Sequence, residues 1–358
     1  MDTPPVNDNW RMPAEWTRHE ATWLAWPHHR DDWPGKFSPI PWVYAEVVRH
    51  LHTGERVYLL VRSKEEKRRA QRVLHRSGVD LKRVRFFAIP TNRVWTRDYG
   101  PIFLTNSDGT IAMTDWHFNG WAKYDDWKLD NAVPEKINKR LGIPAWKPTA
   151  KGKRVVLEGG SIDVNGEGLL LATEECLLGT SQQRNPELSK KDIETVLGDY
   201  LAIDKVLWFG RGIVGDDTHG HIDDLARFVD PHTIAIVVET NPNDENYHAL
   251  QENIERARDM KDQQGRRLQI VTLPMPAPVV FRNERLPASY ANFYIANDCV
   301  LVPTFNDPQD RVALGVLSEV FPDRMVTGIH AVDLVWGLGT LHCMTQQQPM
   351  SNQQPIQT

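Results

Sequence analysis

The residue best suited to covalent chemistry is Cys343, which follows the turn Gly337-Leu338-Gly339 near the end of the chain. Glycine lets the backbone bend sharply and approach a ligand closely, so this turn could present a thiol to a pocket. A thiolate is the best nucleophile among the side chains. A lone cysteine is more often an inert part of the core, so the interpretation depends on residues elsewhere with matching chemistry.

A second candidate site is the segment 218–224, which contains His219, His221 and Asp223 in the spacing H-x-H-x-D. This spacing resembles that of the metallo-β-lactamase-type hydrolases, which hold zinc, so one interpretation is a metal site. The resemblance covers only these few residues and ends at Asp224, where that family has a further histidine. Another option is that the histidines are ordinary surface or core residues.

The alternative for the same segment is an acid/base site without a metal. An imidazole with a pKa of about 6.5 suits His221 to carry protons at neutral pH. Asp223 would lie on the same side of a strand as His221. Together with Asp98 and Glu158 it would supply several carboxylates near a thiol, and a planar guanidinium matches such carboxylates best. Trp95 could then stack on the face of the guanidinium.

These residues occupy corresponding places in a repeated order of elements. Short β-branched runs alternate with amphipathic stretches, and a helix–strand–strand–strand unit recurs about five times. Helices are predicted at 64–76 and 127–141, and strands at 57–61, 102–104 and 111–113. The chemically active segments each lie between the first and second strand after a helix, and equivalent positions in a closed array converge on its axis. We therefore expect one cleft that contains Trp95, Asp98, Glu158, His221, Asp223 and Cys343.

Composition excludes several classes of protein. With 358 residues, of which 41% are hydrophobic and 25% charged, the chain is typical of a soluble globular protein. A net charge of -5 gives no reason to expect binding to nucleic acid or to a membrane, and it is compatible with a small cationic substrate. Three scattered cysteines fit a reducing compartment, and neither a signal peptide nor a membrane span is predicted. We therefore expect a cytoplasmic protein.

Two regions are predicted along the chain. Residues 1–345 are expected to form a single catalytic α/β domain. Residues 346–358 are almost all Gln, Pro, Ser and Asn, a composition typical of a flexible polar tail.

At its chemically active residues the chain resembles the agmatine deiminase and bacterial peptidyl-arginine deiminase-like family of the guanidine-modifying superfamily. The match extends over almost the whole chain, because separated motifs occur in the family's order. These motifs lie at 20–27, 95–101, 157–161, 173–177, 184–186, 220–223 and 342–347.

The resemblance implies a pentein-type fold, a five-fold pseudosymmetric α/β propeller, which agrees with the repeated unit of one helix and three strands. It implies hydrolysis of a guanidinium to a ureido group and ammonia, with no cofactor and no bound metal. It also implies a homo-oligomer, a dimer or higher.

The resemblance further implies a role for each site residue. Cys343 matches the nucleophile that forms a covalent thiouronium, and His221 matches the general acid/base. Glu158 matches the acid that binds the guanidinium and helps to orient the histidine. The implied substrate-binding residues are Asp98, Asp223 and Trp95.

The chain departs from the family in the turn before the cysteine. Typical agmatine deiminases read Gly-Gly-Gly-Asn-Ile-His-Cys there, whereas this chain has Leu338, Thr340 and Leu341 at three of those positions. We expect conversion of agmatine to N-carbamoylputrescine, with free arginine or peptidyl arginine as alternative substrates. Two other readings stay open: a zinc-dependent hydrolase that uses His219, His221 and Asp223, and a binding protein without catalysis.

The proton of Cys343 presents a difficulty. A cysteine titrates near pH 8.5, and three neighbouring acids should raise that value. The guanidinium brings a positive charge that it keeps at any working pH. We therefore expect the substrate to help create the thiolate that attacks it.

Overall fold

The computed structural model describes residues 3–352, in which short strands alternate with helices. The strands are β1 (His19–Ala25), β2 (Arg56–Val61), β3 (Val84–Ala88), β4 (Ile102–Thr105), β5 (Ile111–Thr114), β6 (Ala145–Trp146), β7 (Thr149–Ala150), β8 (Lys153–Arg154), β9 (Asp163–Val164), β10 (Leu169–Thr173), β11 (Lys205–Phe209), β12 (Ala226–Asp230), β13 (Thr233–Val238), β14 (Gln269–Pro274), β15 (Val280–Phe281), β16 (Glu284–Arg285), β17 (Tyr294–Ile295), β18 (Cys299–Thr304), β19 (Met325–His330) and β20 (Gln346–Pro349). The α-helices are α1 (Ile40–Gly54), α2 (Lys64–Arg76), α3 (Thr96–Tyr99), α4 (Lys128–Asn131), α5 (Val133–Leu141), α6 (Glu174–Leu178), α7 (Lys190–Leu201), α8 (Tyr247–Asp259) and α9 (Pro308–Val320).

Five sheets within residues 3–352 have three or more strands, and they share one pattern. In each, a central strand pairs antiparallel with one neighbour and parallel with the other, as β5 does with β4 and β6. The five sheets have the strand orders β20-β1-β2-β3, β4-β5-β6, β9-β10-β11, β12-β13-β14 and β17-β18-β19. The predicted α/β class is therefore observed, as a set of similar small mixed sheets.

Local sequence explains where these elements begin and which face they bury. In α2 the side chain of Ser63 accepts a hydrogen bond from the backbone of Glu66, which caps the helix, and Ala70 and Leu74 are buried. The helix predicted at 64–76 is thus observed with the same bounds. The five central strands are mostly buried, like the apolar run of β13, because other elements cover both of their faces.

Two core clusters lie between the sheets and helices. The larger includes Trp23, Phe228, Phe293 and Cys343, and the smaller surrounds Trp146. The candidate nucleophile therefore lies at the edge of the larger core. None of the helices within residues 3–352 combines the length and the apolar character that a membrane crossing requires.

The helix predicted at 127–141 is interrupted. The structure has α4 and α5 in its place, separated at Ala132 and followed by Pro134 near the start of α5. Proline has no N–H for the preceding turn, so the second helix begins afresh there.

The prediction of a flexible tail from residue 346 is wrong for the first residues of that segment. Gln346–Pro349 form β20, which is buried and pairs antiparallel with β1. The amide groups of the glutamines have buried partners: Trp23 Nε1 donates to Gln348 Oε1 over 2.9 Å, and Arg97 Nη1 donates to Gln347 Oε1 over 2.7 Å. A polar composition hides such a strand, because its partners lie far away in the sequence. The rest of the predicted tail, 353–358, lies outside the described residues.

Candidate active site

The chemically active segments lie at the same place in their sheets, directly before the strand that pairs antiparallel with the central strand. Each segment was predicted to lie between the first and second strand after a helix, and this is the same position. Trp95 and Asp98 lead into β4, Glu158 into β9, His221 and Asp223 into β12, and Cys343 into β20.

The structure brings all six predicted site residues together. His221 Nδ1 lies 3.8 Å from Asp98 Oδ1 and 4.0 Å from Asp223 Oδ1, and Nε2 lies 3.5 Å from Glu158 Oε2. Cys343 Sγ lies 3.7 Å from Asp223 Oδ2. Trp95 is buried and lines the same cavity as Asp98 and Cys343.

The thiol of Cys343 is 8% exposed at the inner end of this cavity. Burial raises its pKa well above the ordinary value, and the carboxylates of Asp223, Asp224 and Asp98 raise it further. The free protein therefore holds the thiol form at neutral pH.

Asn292 is a site residue that the sequence reasoning missed. It precedes β17, the corresponding strand of the fifth sheet, and its Nδ2 lies 3.2 Å from Cys343 Sγ. Its Oδ1 accepts hydrogen bonds from Thr340 Oγ1 (2.6 Å) and from His342 N (3.0 Å), which holds the cysteine turn. Its place in the repeat could have identified it, but an amide neither titrates nor acts as a nucleophile, so its residue type did not indicate a role.

His221 is buried beside three groups that favour its protonated form. Burial, the largest single effect, lowers its pKa, but Asp98, Cys176 and Glu158 outweigh burial and raise that pKa well above the ordinary value. Its Nε2 is buried and has no hydrogen-bond partner among the described residues. The imidazolium can therefore donate a proton to a ligand at neutral pH.

Asp98 is held on both of its oxygens. Oδ2 accepts a hydrogen bond from Trp121 Nε1 over 2.9 Å, and Oδ1 accepts one from the backbone N–H of Gly160 over 3.0 Å. Burial raises the pKa of Asp98 to about 6. A Cβ at position 160 would lie 2.6 Å from His221 Nδ1 and 2.8 Å from Asp98 Oδ1, so glycine is required for this close approach.

Glu158 is paired with Arg184, whose Nε lies 3.2 and 3.3 Å from its two oxygens. Both side chains are buried. Burial raises the pKa of Glu158, but the guanidinium of Arg184 and the ring of His221 outweigh it and lower that pKa below the usual range. Glu158 therefore stays ionised next to His221.

Asp223 connects the site to a buried network of charges. His342 lies between two carboxylates, with Nδ1 2.7 Å from Asp223 Oδ2 and Nε2 2.8 Å from Glu15 Oε2. Glu15 is also paired with Arg97 at 3.0 Å and with Arg227 at 2.9 Å. Burial opposes ionisation of Asp223, but its hydrogen bond with His342 and the nearby His221 and Arg227 lower its pKa. This network was not predicted, because its members are far apart in the sequence.

The cavity above the thiol has a volume of about 260 Å³. Its lining near Cys343 is apolar, with Trp95, Trp121, Trp336 and Leu338. Five acidic side chains line it, Asp31, Asp32, Asp98, Asp217 and Glu284, against the basic Arg93 and His29. Such a cavity suits a narrow cationic chain with a planar head.

The zinc arrangement predicted as an alternative is not assembled. The side chain of His219 is 34% exposed and lies 3.8 Å from Glu175, away from the site. Within residues 3–352 the group with metal-ligand spacing is Glu158, Cys176 and His221, which contains neither His219 nor Asp223. His219 has a left-handed backbone with a φ of +67°. Residues Ile222–Asp224 form a 3₁₀ turn, so the strand on which Asp223 was expected to lie on the same side as His221 is absent there.

The chain is similar to known proteins over almost its whole length. Residues 11–349 match the model of the family described as Porphyromonas-type peptidyl-arginine deiminase. The agmatine deiminase of Ectopseudomonas mendocina is 35% identical over 372 residues, and the match covers 98% of each chain.

Solved structures give the same result. An Enterococcus faecalis agmatine deiminase, described as catalysing its reaction, matches with a TM-score of 0.90 and 33% identity over 98% of each chain. A cysteine-to-serine variant of the C. jejuni agmatine deiminase with substrate bound matches with a TM-score of 0.84 and 31% identity, over 96% of this chain and 97% of that one.

Proposed function

The chain belongs to the Porphyromonas-type peptidyl-arginine deiminase family, as its separated motifs predicted, and we propose that it acts as an agmatine deiminase. It is a hydrolase of C–N bonds in guanidino groups. The proposed reaction converts agmatine and water to N-carbamoylputrescine and ammonia. Relatives described by this activity match 98% of the chain, which supports the proposal along its whole length.

One observation carries the proposal: the buried carboxylate of Asp223 lies beside the sulfur of Cys343, and its other oxygen accepts no hydrogen bond among the described residues. Its Oδ1 makes no hydrogen bond among the described residues, while its Oδ2 lies 3.7 Å from Sγ. A buried acceptor without a donor is costly, so the site is suited to a ligand that donates. A guanidinium offers five N–H donors in one plane and can satisfy this oxygen with its carbon next to the sulfur.

The first half of the proposed reaction forms a covalent bond to sulfur. The thiolate of Cys343 attacks the central carbon of the guanidinium, which Asp98, Glu158 and Asp223 hold in place. The C–N bond to one terminal nitrogen breaks, and the imidazolium of His221 gives its proton to the departing ammonia. A thiouronium on Cys343 remains.

The second half returns the enzyme to its starting state. Neutral His221 takes a proton from water, and the resulting hydroxide attacks the thiouronium carbon. The C–S bond breaks and the sulfur leaves as thiolate, which takes up the proton of the added hydroxyl. Cys343 is then a thiol and His221 an imidazolium again, and the product carries a ureido group. The amide of Asn292, 3.2 Å from the sulfur, can donate to that thiolate in both halves.

The substrate supplies the charge that the thiolate needs. Burial and three carboxylates raise the thiol pKa in the free protein. A bound guanidinium neutralises those carboxylates and places a cation next to the sulfur, so the thiol releases its proton to solvent more easily before the attack. This agrees with the absence of a lysine or arginine contact to Cys343 Sγ among the hydrogen bonds and ion pairs of residues 3–352.

We also propose that the five sheets are arranged around an axis as a five-fold propeller. Their shared strand pattern supports it, as does the position of the site segments before equivalent strands. We further propose a cytoplasmic location, supported by three cysteines that are all free, and assembly as a dimer or a larger homo-oligomer.

The deciding experiment measures the ureido product from agmatine, arginine and an arginyl peptide side by side. We expect turnover of agmatine to exceed that of the other two, because the cavity is narrow and its acids repel a carboxylate. A preference for the peptide would replace the proposed substrate. Failure on all three substrates, with Cys343 intact, would overturn the function itself.

The same assay run with a strong chelator tests the zinc alternative. We expect full activity after metal is removed, because the reaction assigns every step to side chains and water. Loss of activity that added zinc restores would support a metal-dependent hydrolase instead.

A further inference from the structure

In the turn before the nucleophile, a leucine has the left-handed backbone that glycine usually adopts, and the two glycines beside it do not. Leu338 has φ +65° and ψ +27°, in the left-handed region. That conformation brings a Cβ too close to the following carbonyl, so glycine is the common choice there. Gly337 and Gly339 flank it, and neither has a left-handed backbone.

The two flanking glycines have a packing explanation. A Cβ at Gly337 would lie 2.6 Å from Cε2 of Trp33. A Cβ at Gly339 would lie 3.0 Å from Cζ3 of Trp95 and 3.2 Å from Cβ of Cys343. Both positions therefore need glycine so that the turn can approach the tryptophan rings.

Local structure gives no reason for a leucine between them. Leu338 ends the 3₁₀ turn Val335–Gly337, and its backbone N–H donates to Val335 O over 2.9 Å, a bond that any residue with an N–H makes. Its side chain lines the cavity together with Trp95, Trp336 and Cys343. Backbone strain that persists at a cavity wall points to a function for the side chain that causes it.

We propose that Leu338 determines specificity by restricting the cavity to guanidines on an unbranched carbon chain. This inference rests on the proposed function. The cavity of about 260 Å³ is smaller than the roughly 300 Å³ at which drug-sized pockets begin. The isobutyl side chain of one leucine therefore makes a large difference to its volume. Agmatine has a CH₂ next to its far amino group, whereas an arginyl residue has a carbonyl branch on that carbon.

The test uses two neutral-ended substrates that differ only in this branch, N-acetylagmatine and Nα-acetylarginine amide. For Leu338→Gly we expect the ratio of their kcat/KM values to shift toward the branched substrate by about tenfold or more, the effect of a few methyl groups in a pocket. We also expect a Tm at least equal to that of the unsubstituted protein, because glycine adopts this backbone without strain.

Two matched variants serve as controls. Ala202 has a φ of +60° at the end of α7 and does not line the cavity, so Ala202→Gly relieves the same backbone strain at another place. This variant should raise Tm and leave the ratio of kcat/KM values unchanged. Leu338→Met keeps the side-chain volume and should keep the ratio of the unsubstituted protein.

The outcomes separate this inference from the proposed function. An unchanged ratio in Leu338→Gly, with agmatine still turned over, would overturn the role of Leu338 alone. If the glycine variant is inactive, Leu338→Asn, which also tolerates this backbone, must show the shifted ratio or the role is overturned. Failure of the unsubstituted protein on agmatine and on both acetylated guanidines would instead overturn the proposed function.

Discussion

At Cys343, burial and three nearby carboxylates all act in the same direction and raise the pKa of the thiol well above its usual range. At His221 burial lowers the pKa of the imidazole, but Asp98, Cys176 and Glu158 outweigh burial and raise that pKa. Both groups are therefore protonated in the free protein at neutral pH. This is the state that the proposed reaction needs at His221, which must give a proton, and the opposite of the state it needs at Cys343.

Alkylation against pH tests the protonation state of the free enzyme. We expect iodoacetamide to label Cys343 slowly at pH 7, and the rate to rise up to pH 9 and beyond without a plateau near neutrality, because only the thiolate reacts. Labelling is followed by mass spectrometry, which separates Cys343 from Cys176 and Cys299.

Asp223→Asn is the matched variant for that measurement. It removes a negative charge 3.7 Å from the sulfur, so it should lower the thiol pKa and speed labelling at neutral pH. A thiol that titrates well below pH 7 in the unsubstituted protein would contradict substrate-assisted ionisation and favour a preformed thiolate–imidazolium pair.

The pKa of Asp98 predicts how kcat/KM depends on pH on the acidic side. Its pKa is raised to about 6, chiefly by burial. Only the carboxylate attracts a guanidinium, so kcat/KM should fall more steeply with decreasing pH below 6 than above it, where ionisation of the Cys343 thiol alone sets the slope. Asp98→Asn should remove this steeper limb and lower kcat/KM at pH 8 by about 2 kcal/mol, roughly thirtyfold. A limb that persists unchanged in the variant would assign it to another group.

At the scale of elements, β20 joins the fold and the site. It adds a strand to β1, and it directly follows Cys343 and the turn that bears it. Gln347 accepts a hydrogen bond from Arg97, whose backbone N–H donates to the carbonyl of Cys343 over 3.1 Å. The position of the nucleophile therefore depends on a strand made largely of glutamine.

Truncation tests this dependence. A chain that ends at residue 345 loses β20 and removes the glutamine oxygens that accept hydrogen bonds from Trp23 Nε1 and Arg97 Nη1. We expect it to lose about 4 kcal/mol or more of unfolding free energy, measured by denaturant titration. A chain that ends at residue 352 keeps every contact described above and is the control. Equal stability of the two truncated chains would show that β20 contributes nothing.

At the scale of the whole molecule, the repeated sheets explain how distant residues meet. Each of the five sheets contributes the segment before its antiparallel edge strand, and these segments supply Asp98, Glu158, His221 with Asp223, Asn292 and Cys343. Two segments supply a carboxylate, one an imidazole and a carboxylate, one an amide and one the thiol. Their shared backbone position, rather than a shared side chain, brings them together.

The sequence by itself determined which side chains have reactive chemistry and that they recur at equivalent places. A thiol, an imidazole and carboxylates are properties of residue types, and a pattern of strands and helices depends on neighbours a few positions apart. The helix at 64–76 and the candidate residues from Trp95 to Cys343 could be predicted for this reason.

Only the tertiary structure decided the partners. The contact of Asn292 with the sulfur, the position of His342 between Asp223 and Glu15, and the pairing of β20 join residues 50 to more than 300 positions apart. The left-handed backbone of Leu338, between two glycines that pack against tryptophans, is likewise visible only in the folded chain. Contacts between residues far apart in the sequence leave no local pattern, because the free energy that stabilises them comes from burial and pairing across the folded chain.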